Sequence, residues 1–220
     1  KNQDAVFAFY RIADYSLMSQ EEVEQRLWQN LSKWSLQKTA LKFPNKKYNI
    51  IYADPPWTFK NYNNKKSNTN ADHHYPCMTM EEIKKLPVAD IADKDCILFL
   101  WCTDPLINQQ IEVIKAWSFE YKTVGFYWIK ENKNKSNSIY CKGNGYWTRC
   151  NPEICLLATK GKPKRINGNV DKLTIATRNA HSKKPNIIRN KIVELCGDIP
   201  RIELFARQKT PGWDVFGNEI

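Results

Sequence analysis

The chain has no C-x-x-C pair. Its seven cysteines, Cys77, Cys96, Cys102, Cys141, Cys150, Cys155 and Cys196, are scattered, and several fall in apolar runs. That excludes a zinc-finger spacing or a disulfide framework and fits reduced core thiols of an intracellular protein. No apolar run of roughly 18 residues and no signal peptide is visible, so nothing in the sequence points to a membrane or to export. No internal repeat stands out, and no G-x-G-x-x-G is present, which removes the dinucleotide-binding fingerprint. The chain begins at Lys1 rather than Met, as a fragment does. Acids are also in short supply, with 23 Asp and Glu against 34 Lys and Arg, for a net charge of +11.

With 220 residues, 42% hydrophobic, 12% aromatic and 8 Trp, the chain is suited to one folded domain with a full core. The positive surplus suggests a polyanionic partner, because Lys and Arg bind phosphates through counterion release; the plainer alternative is solubility alone. Much of the surplus is local. Residues 160 to 191 hold ten basic residues (Lys160, Lys162, Lys164, Arg165, Lys172, Arg178, Lys183, Lys184, Arg189, Lys191) against Asp171.

Ser19 with Glu22 makes a capping box, and Val23, Leu27, Leu31 and Trp34 follow at helical spacing, which predicts an amphipathic helix over 19–36. Residues 1–47 are read as an N-terminal helical extension and 48–220 as a catalytic domain. Within the latter, Tyr48–Ala53, Cys96–Trp101, Thr123–Lys130, Ile154–Thr159 and Arg201–Phe205 are short apolar runs of the kind that strands covered on both faces show. Helices are expected from the cap at Thr79 and Glu82, from Asp104 and Pro105 to Trp117, and over 186–196 up to Gly197. The alternation predicts an α/β fold with a doubly wound, mostly parallel sheet and helices on both faces, whose ligands bind beyond the carboxyl ends of the strands. Residues 60–74 and 131–146 are polar and aperiodic. They read either as loops that order on substrate or as inert insertions.

The string YADPPW, residues 52–57, leaves the first strand abruptly, since proline cannot donate to a ladder and restricts the residue before it. An aromatic amine is a poor nucleophile that improves when acceptors hold both its hydrogens. Asp54 is one acceptor, the Pro55 carbonyl a rigid second, and Trp57 a flat face on which a flipped-out base stacks. The competing reading is a capped turn, because Asp-Pro commonly opens one. A zinc deaminase also acts on base amines, but its H-x-E and P-C-x-x-C ligands are missing.

Together NIIYADPPW, CILFLW, WTRCNPEICLLATKGKPKR, HSKKP and IELFARQKTPGWDVFGNE resemble the adenine methyltransferase family that includes the catalytic subunit of the mRNA adenosine methyltransferase. The likeness covers about residues 48–220 and is greatest to the bacterial and phage branch and the related ciliate DNA adenine methyltransferase subunit. It implies a Rossmann-like fold with permuted motif order. The implied activity is direct in-line transfer of a methyl group from S-adenosylmethionine to the 6-amino group of adenine in DNA, without a metal. RNA as substrate and an inactive scaffold paralogue are the alternatives.

By the same resemblance Asp54, Pro55, Pro56 and Trp57 form the catalytic corner, with Asp54 also facing the methyl donor. Tyr75, Trp128 and Trp147 are expected beside the target base, and Arg149, Lys162, Lys164 and Arg165 on the nucleic acid. Lys184 suits the methionine carboxylate, while Phe205, Arg207, Asn218 and Glu219 match positions that hold ribose and adenine. Lys209 stands where the mRNA enzyme has histidine, so its role does not carry over directly. His181 reads as structural or phosphate-facing. The resemblance further implies a heterodimer with an inactive paralogue, joined by DNA-binding accessory subunits, in the nucleus of a eukaryote or the cytoplasm of a bacterium.

Overall fold

Tyr48–Ala53 (YNIIYA) forms β1, and five of its six residues are buried. Successive side chains of a strand point to opposite faces, so a nearly continuous apolar strand needs cover on both. The structure, a computed structural model, describes residues 19, 43–58, 77–134, 138–143, 145, 147–177 and 183–217. The helix expected over 19–36, the 60–74 segment, Tyr75, His181, Asn218 and Glu219 lie outside the described residues, as does part of 131–146.

The chain divides into two units, Lys1–Phe43 with Pro56–Thr79 and Pro44–Pro55 with Met80–Ile220. In the described part of the first, Trp57 and Met78 form a parallel bridge. There the Met78 N–H donates to the Pro56 carbonyl at 2.8 Å, and the Thr58 N–H donates to the Met78 carbonyl at 3.2 Å.

The second unit continues from β1 through α1 (Met80–Lys84), α2 (Val88–Ile91), β2 (Ala92–Cys102) and a 3-10 turn at Asp104–Leu106. Then come α3 (Ile107–Ala116), β3 (Glu120–Glu131), β4 (Pro152–Lys160), β5 (Leu173–Thr177), α4 (Ile187–Cys196), β6 (Arg201–Leu204) and β7 (Asp214–Phe216). All five expected strands are present. The short β5 and β7 and the four-residue α2 were not anticipated.

The seven strands form one sheet in the order β5-β3-β4-β2-β1-β6-β7. Every pairing is parallel except those of β4, which runs against both β2 and β3. The carboxyl ends of six strands therefore share one rim with the amino end of β4. On one face Tyr52, Phe99, Trp101, Phe126, Trp128 and Cys155 pack with Ile188, Ile192 and Cys196 of α4. The alternate residues Ile51, Leu98, Leu100, Leu156 and Ala158 are buried too, and α1 to α3 contribute buried Ile83, Val88, Ile91, Val113 and Ile114. The Trp117 N–H ties α3 to α1 by donating to the Ile83 carbonyl at 2.9 Å. Each fully buried apolar side chain contributes about 1.5–3 kcal/mol, so this two-sided burial sets the strand positions firmly.

Glycine is required at two ends. Gly197 closes α4 at φ 94°, where a Cβ is disfavoured. A Cβ at Gly217 would clash with the backbone of Ala206, so the ends of β6 and β7 meet only through glycine.

Candidate active site

Asp54 is the first residue past β1 and sits on the shared rim. Lys184, on the segment leading into α4, donates to both of its carboxylate oxygens at 2.7 and 2.8 Å. The lysine side chain is 9% exposed and that of Asp54 24%, so the pair is sunk but open on the carboxylate side. The ammonium also lies 5.2 Å from the centre of the Trp101 ring, a cation–π contact. Trp101 is held in turn, its N–H donating to the Tyr52 hydroxyl at 2.7 Å and its ring meeting Trp128 edge-on.

Reversal of β4 brings a second carboxylate to this rim. Glu153, near the amino end of β4, pairs with Lys130 near the end of β3 and lies 3.4 Å from the Lys184 ammonium. Lys130 stands over the Trp128 ring as Lys184 stands over Trp101. Burial raises the Asp54 carboxyl above the ordinary aspartate value against the pull of Lys184, with Glu153 adding to the rise and Arg207 opposing it. Burial would raise Glu153 as well, but the ammoniums of Lys184 and Lys130 outweigh it and hold this carboxyl below the ordinary glutamate value. Two carboxylates at one rim thus have opposite tendencies.

Pro55 is buried, and its carbonyl accepts no backbone hydrogen bond among the described residues, whereas the Pro56 carbonyl is taken by Met78. Trp57 is buried. Phe205 ends β6 with φ 60°, a left-handed conformation that costs a bulky residue about 1–2 kcal/mol. It and Arg207 are half-buried at the same rim, while Lys209 is exposed. Glu203 belongs to a different pair. Both its oxygens are taken by Arg189, at 2.7 Å from Nε and 2.5 Å from Nη2.

The remaining expected site residues fall in different places. Trp128, expected beside the target base, lies within β3, is 1% exposed, and donates its N–H to the Ala176 carbonyl at 3.1 Å, so it is packed in the core. Trp147, by contrast, is fully exposed, and Arg149 is exposed near it. Lys162, Lys164 and Arg165 follow the carboxyl end of β4, which points away from Asp54. Given a rise of about 3.3 Å per residue, they sit roughly 25–30 Å from Glu153, at the opposite rim. There the Lys162 N–H donates to Asp95 and the Ile166 N–H to the Leu195 carbonyl at the far end of α4.

The basic run over 160–191 is likewise no single surface. Lys184 and Arg189 are buried in ion pairs, Lys160 bonds the Ala89 and Ala92 carbonyls, and Lys191 bonds the Asp171 and Leu173 carbonyls and the Thr174 hydroxyl. Conversely, Glu153 and Lys130 were not singled out from the sequence. Their signal was a carboxylate opening one apolar run and an ammonium closing another, which meet only when those strands are antiparallel.

All seven cysteines are free, and Cys96, Cys102, Cys155 and Cys196 are buried. Among the described residues no group of three His, Cys, Asp or Glu is placed to hold a metal ion, and no helix is long and apolar enough to cross a membrane.

A seven-stranded, largely parallel sheet with helices on both faces, carrying an acid and a buried ammonium beyond the end of β1, has the Rossmann-like methyltransferase fold. The chain belongs to the MT-A70 family, which matches residues 48–219. The Type II methyltransferase M.MunI of Mycoplasma sp is 36% identical over 196 residues, spanning 81% of this chain and 80% of that protein. Human METTL3, an N(6)-adenosine-methyltransferase catalytic subunit, is 28% identical over 177 residues, 79% of this chain but 28% of its own length. Mouse METTL4, an N(6)-adenine-specific methyltransferase, is 26% identical over 198 residues, 80% of this chain and 38% of its own length. The chain therefore spans well under half of these two eukaryotic relatives. Membership places it in a family of adenine N6-methyltransferases and implies S-adenosylmethionine as methyl donor.

The residues present fit that donor. Lys184 offers a buried ammonium suited to a carboxylate, and Phe205 and Arg207 stand at the end of β6 on the same rim.

Proposed function

We propose that this chain methylates the 6-amino group of adenine in DNA. The observation that carries the reading is the pairing of Asp54 and Lys184 at the carboxyl end of β1, with the Pro55 carbonyl next in the chain. DNA is favoured over RNA by the higher identity to the Type II methyltransferase M.MunI, 36% over 196 residues, than to METTL3, 28% over 177. Arg149 and Lys142, both exposed, and the half-buried Lys183 are the cations best placed to meet phosphates near this rim.

S-adenosylmethionine, when bound, supplies a methyl group on a sulfonium, open to direct displacement. Asp54 accepts one hydrogen of the adenine amine and the Pro55 carbonyl the other, which turns the nitrogen lone pair out of the ring. Both acceptors are fixed before the base arrives, and such preorganised groups avoid reorganisation during reaction. Lys184 holds the donor's carboxylate, and Phe205 and Arg207 flank its nucleoside. The departing amine proton passes to Asp54 or to water, so no stronger base is needed. An inactive paralogue and DNA-binding subunits would add recognition surface to this catalytic domain.

The test is transfer of tritiated methyl into matched DNA and RNA oligonucleotides, with purified partner candidates added or withheld. Label recovered as 6-methyladenine in DNA is expected. Label confined to RNA would move the substrate, and donor binding without transfer to either polymer would favour the scaffold reading.

A further inference from the structure

The charged groups on the rim form a row of alternating sign: Asp54, Lys184, Glu153, Lys130. One oxygen of Glu153 takes Lys130, and the other faces Lys184 at 3.4 Å. Lys184 meanwhile grips both oxygens of Asp54. While that grip holds, Asp54 has less freedom to accept hydrogens from a base. A charge-assisted bond settles near 2.8 Å, so a shift of about 0.6 Å would carry the ammonium from its present distance into full contact with Glu153. A lysine on a flexible stem makes that shift readily.

Resting on the methyltransferase reading above, we propose that Glu153 is a positioning residue. It shares Lys184 with Asp54 and so sets how firmly the lysine holds the carboxylate that must receive the amine. Lys130 tempers this by engaging the other oxygen of Glu153.

The signs follow from the groups that face the two carboxylates. Asp54 feels Lys184, Glu153, Arg207 and Arg189, with the Cys102 and Cys155 thiols nearby; Glu153 feels Lys184, Lys130, Asp104 and Cys150. Replacing Glu153 by Gln removes a negative neighbour of Asp54 and one of the carboxylates that draw on Lys184. Both changes favour ionised Asp54, so the acid limb of kcat moves to lower pH. The tighter grip also lowers kcat itself by about tenfold to a hundredfold, the scale of a misplaced catalytic group. Lys130→Met frees Glu153 to draw Lys184 away, so its acid limb moves to higher pH. Glu153→Asp keeps the charge at shorter reach and falls between Glu153→Gln and the unaltered protein.

Sharing is read without activity from the ammonium signal of Lys184 in 15N-labelled protein, which persists only while a buried carboxylate protects it. The signal should survive in Asp54→Asn and in Glu153→Gln and be weakest in the double variant. Loss in Asp54→Asn alone would overturn the sharing, as would a Glu153→Gln enzyme with the acid limb unmoved. If the lysine signals behave as expected while no variant or unaltered chain methylates any nucleic acid, the methyltransferase reading falls and the sharing stands.

Discussion

Two ion pairs lie on the same face of the sheet, and they differ in how much of each charge is already used. Arg189 and Glu203 join α4 to β6 with both side chains 7% exposed. The guanidinium meets both carboxylate oxygens and donates once more to the Asn186 side chain at 3.1 Å. Burial works against this guanidinium, yet the Glu203 bond outweighs it and raises its pKa above the usual arginine value. The geometry is closed and fork-shaped, as a structural tie should be. Lys184 and Asp54, by contrast, leave the carboxylate partly exposed and the ammonium within reach of a second acid. Arginine suits the closed pair because its donors are fixed, and lysine suits the open one because a point charge can be passed between partners.

Removing Asp54 tests the open pair most severely. Asp54→Ala should lower methyl transfer about a thousandfold or more, roughly 4 kcal/mol of barrier, since it deletes an acceptor of the amine. The fold should persist, because Glu153 remains to receive Lys184. Circular dichroism and a tritiated-methyl assay on the same preparation check both halves. In the unaltered protein the active form of Asp54 is the ionised one and burial raises its pKa, so activity should fall as pH drops, beginning at a higher pH than an exposed aspartate would give. A near-normal rate in Asp54→Ala would remove the functional side of the comparison.

The closed pair should respond in stability rather than in chemistry. Glu203→Gln leaves Arg189 buried without its counter-charge and should cost about 3–5 kcal/mol, read from a denaturant midpoint. Replacing both partners, Arg189→Met with Glu203→Leu, should recover most of that loss, since apolar residues of similar volume often substitute for a buried pair. No double replacement of Lys184 and Asp54 should recover methyl transfer. Full rescue in one pair and none in the other would sharpen the division between tie and site.

Much of this arrangement was legible in the residues. Continuous apolar runs marked β1, β2, β3, β4 and β6, and Pro55 marked where the first of them stops. The edge strand β5 was harder, because Leu173 and Ile175 are half-exposed and the strand has five residues with two threonines. That most strands run parallel was legible from their alternation with helices, but the reversal of β4 was not. CLLAT has the same apolar pattern read upward or downward, and only its pairing with β2 and β3 shows that it is reversed. That reversal hid Glu153, which stands near the start of β4 on the rim of Asp54, and it carries Lys162, Lys164 and Arg165 to the opposite rim.

The gentlest expected effect concerns those three residues. A phosphate contact contributes about −0.9 to the slope of log affinity against log salt for duplex DNA. Arg149, exposed near Trp147, should lose about that much on replacement by Ala if it meets the duplex. Lys164→Ala with Arg165→Ala should change the slope by less than about half a contact, because both lie at the far rim among Asp95, Asp171 and Glu194. Fluorescence anisotropy across a salt series compares the two variants directly. A loss near two contacts in the far-rim variant would mean that the duplex wraps past the sheet edge, joining by one polyanion two basic surfaces that β4 holds apart.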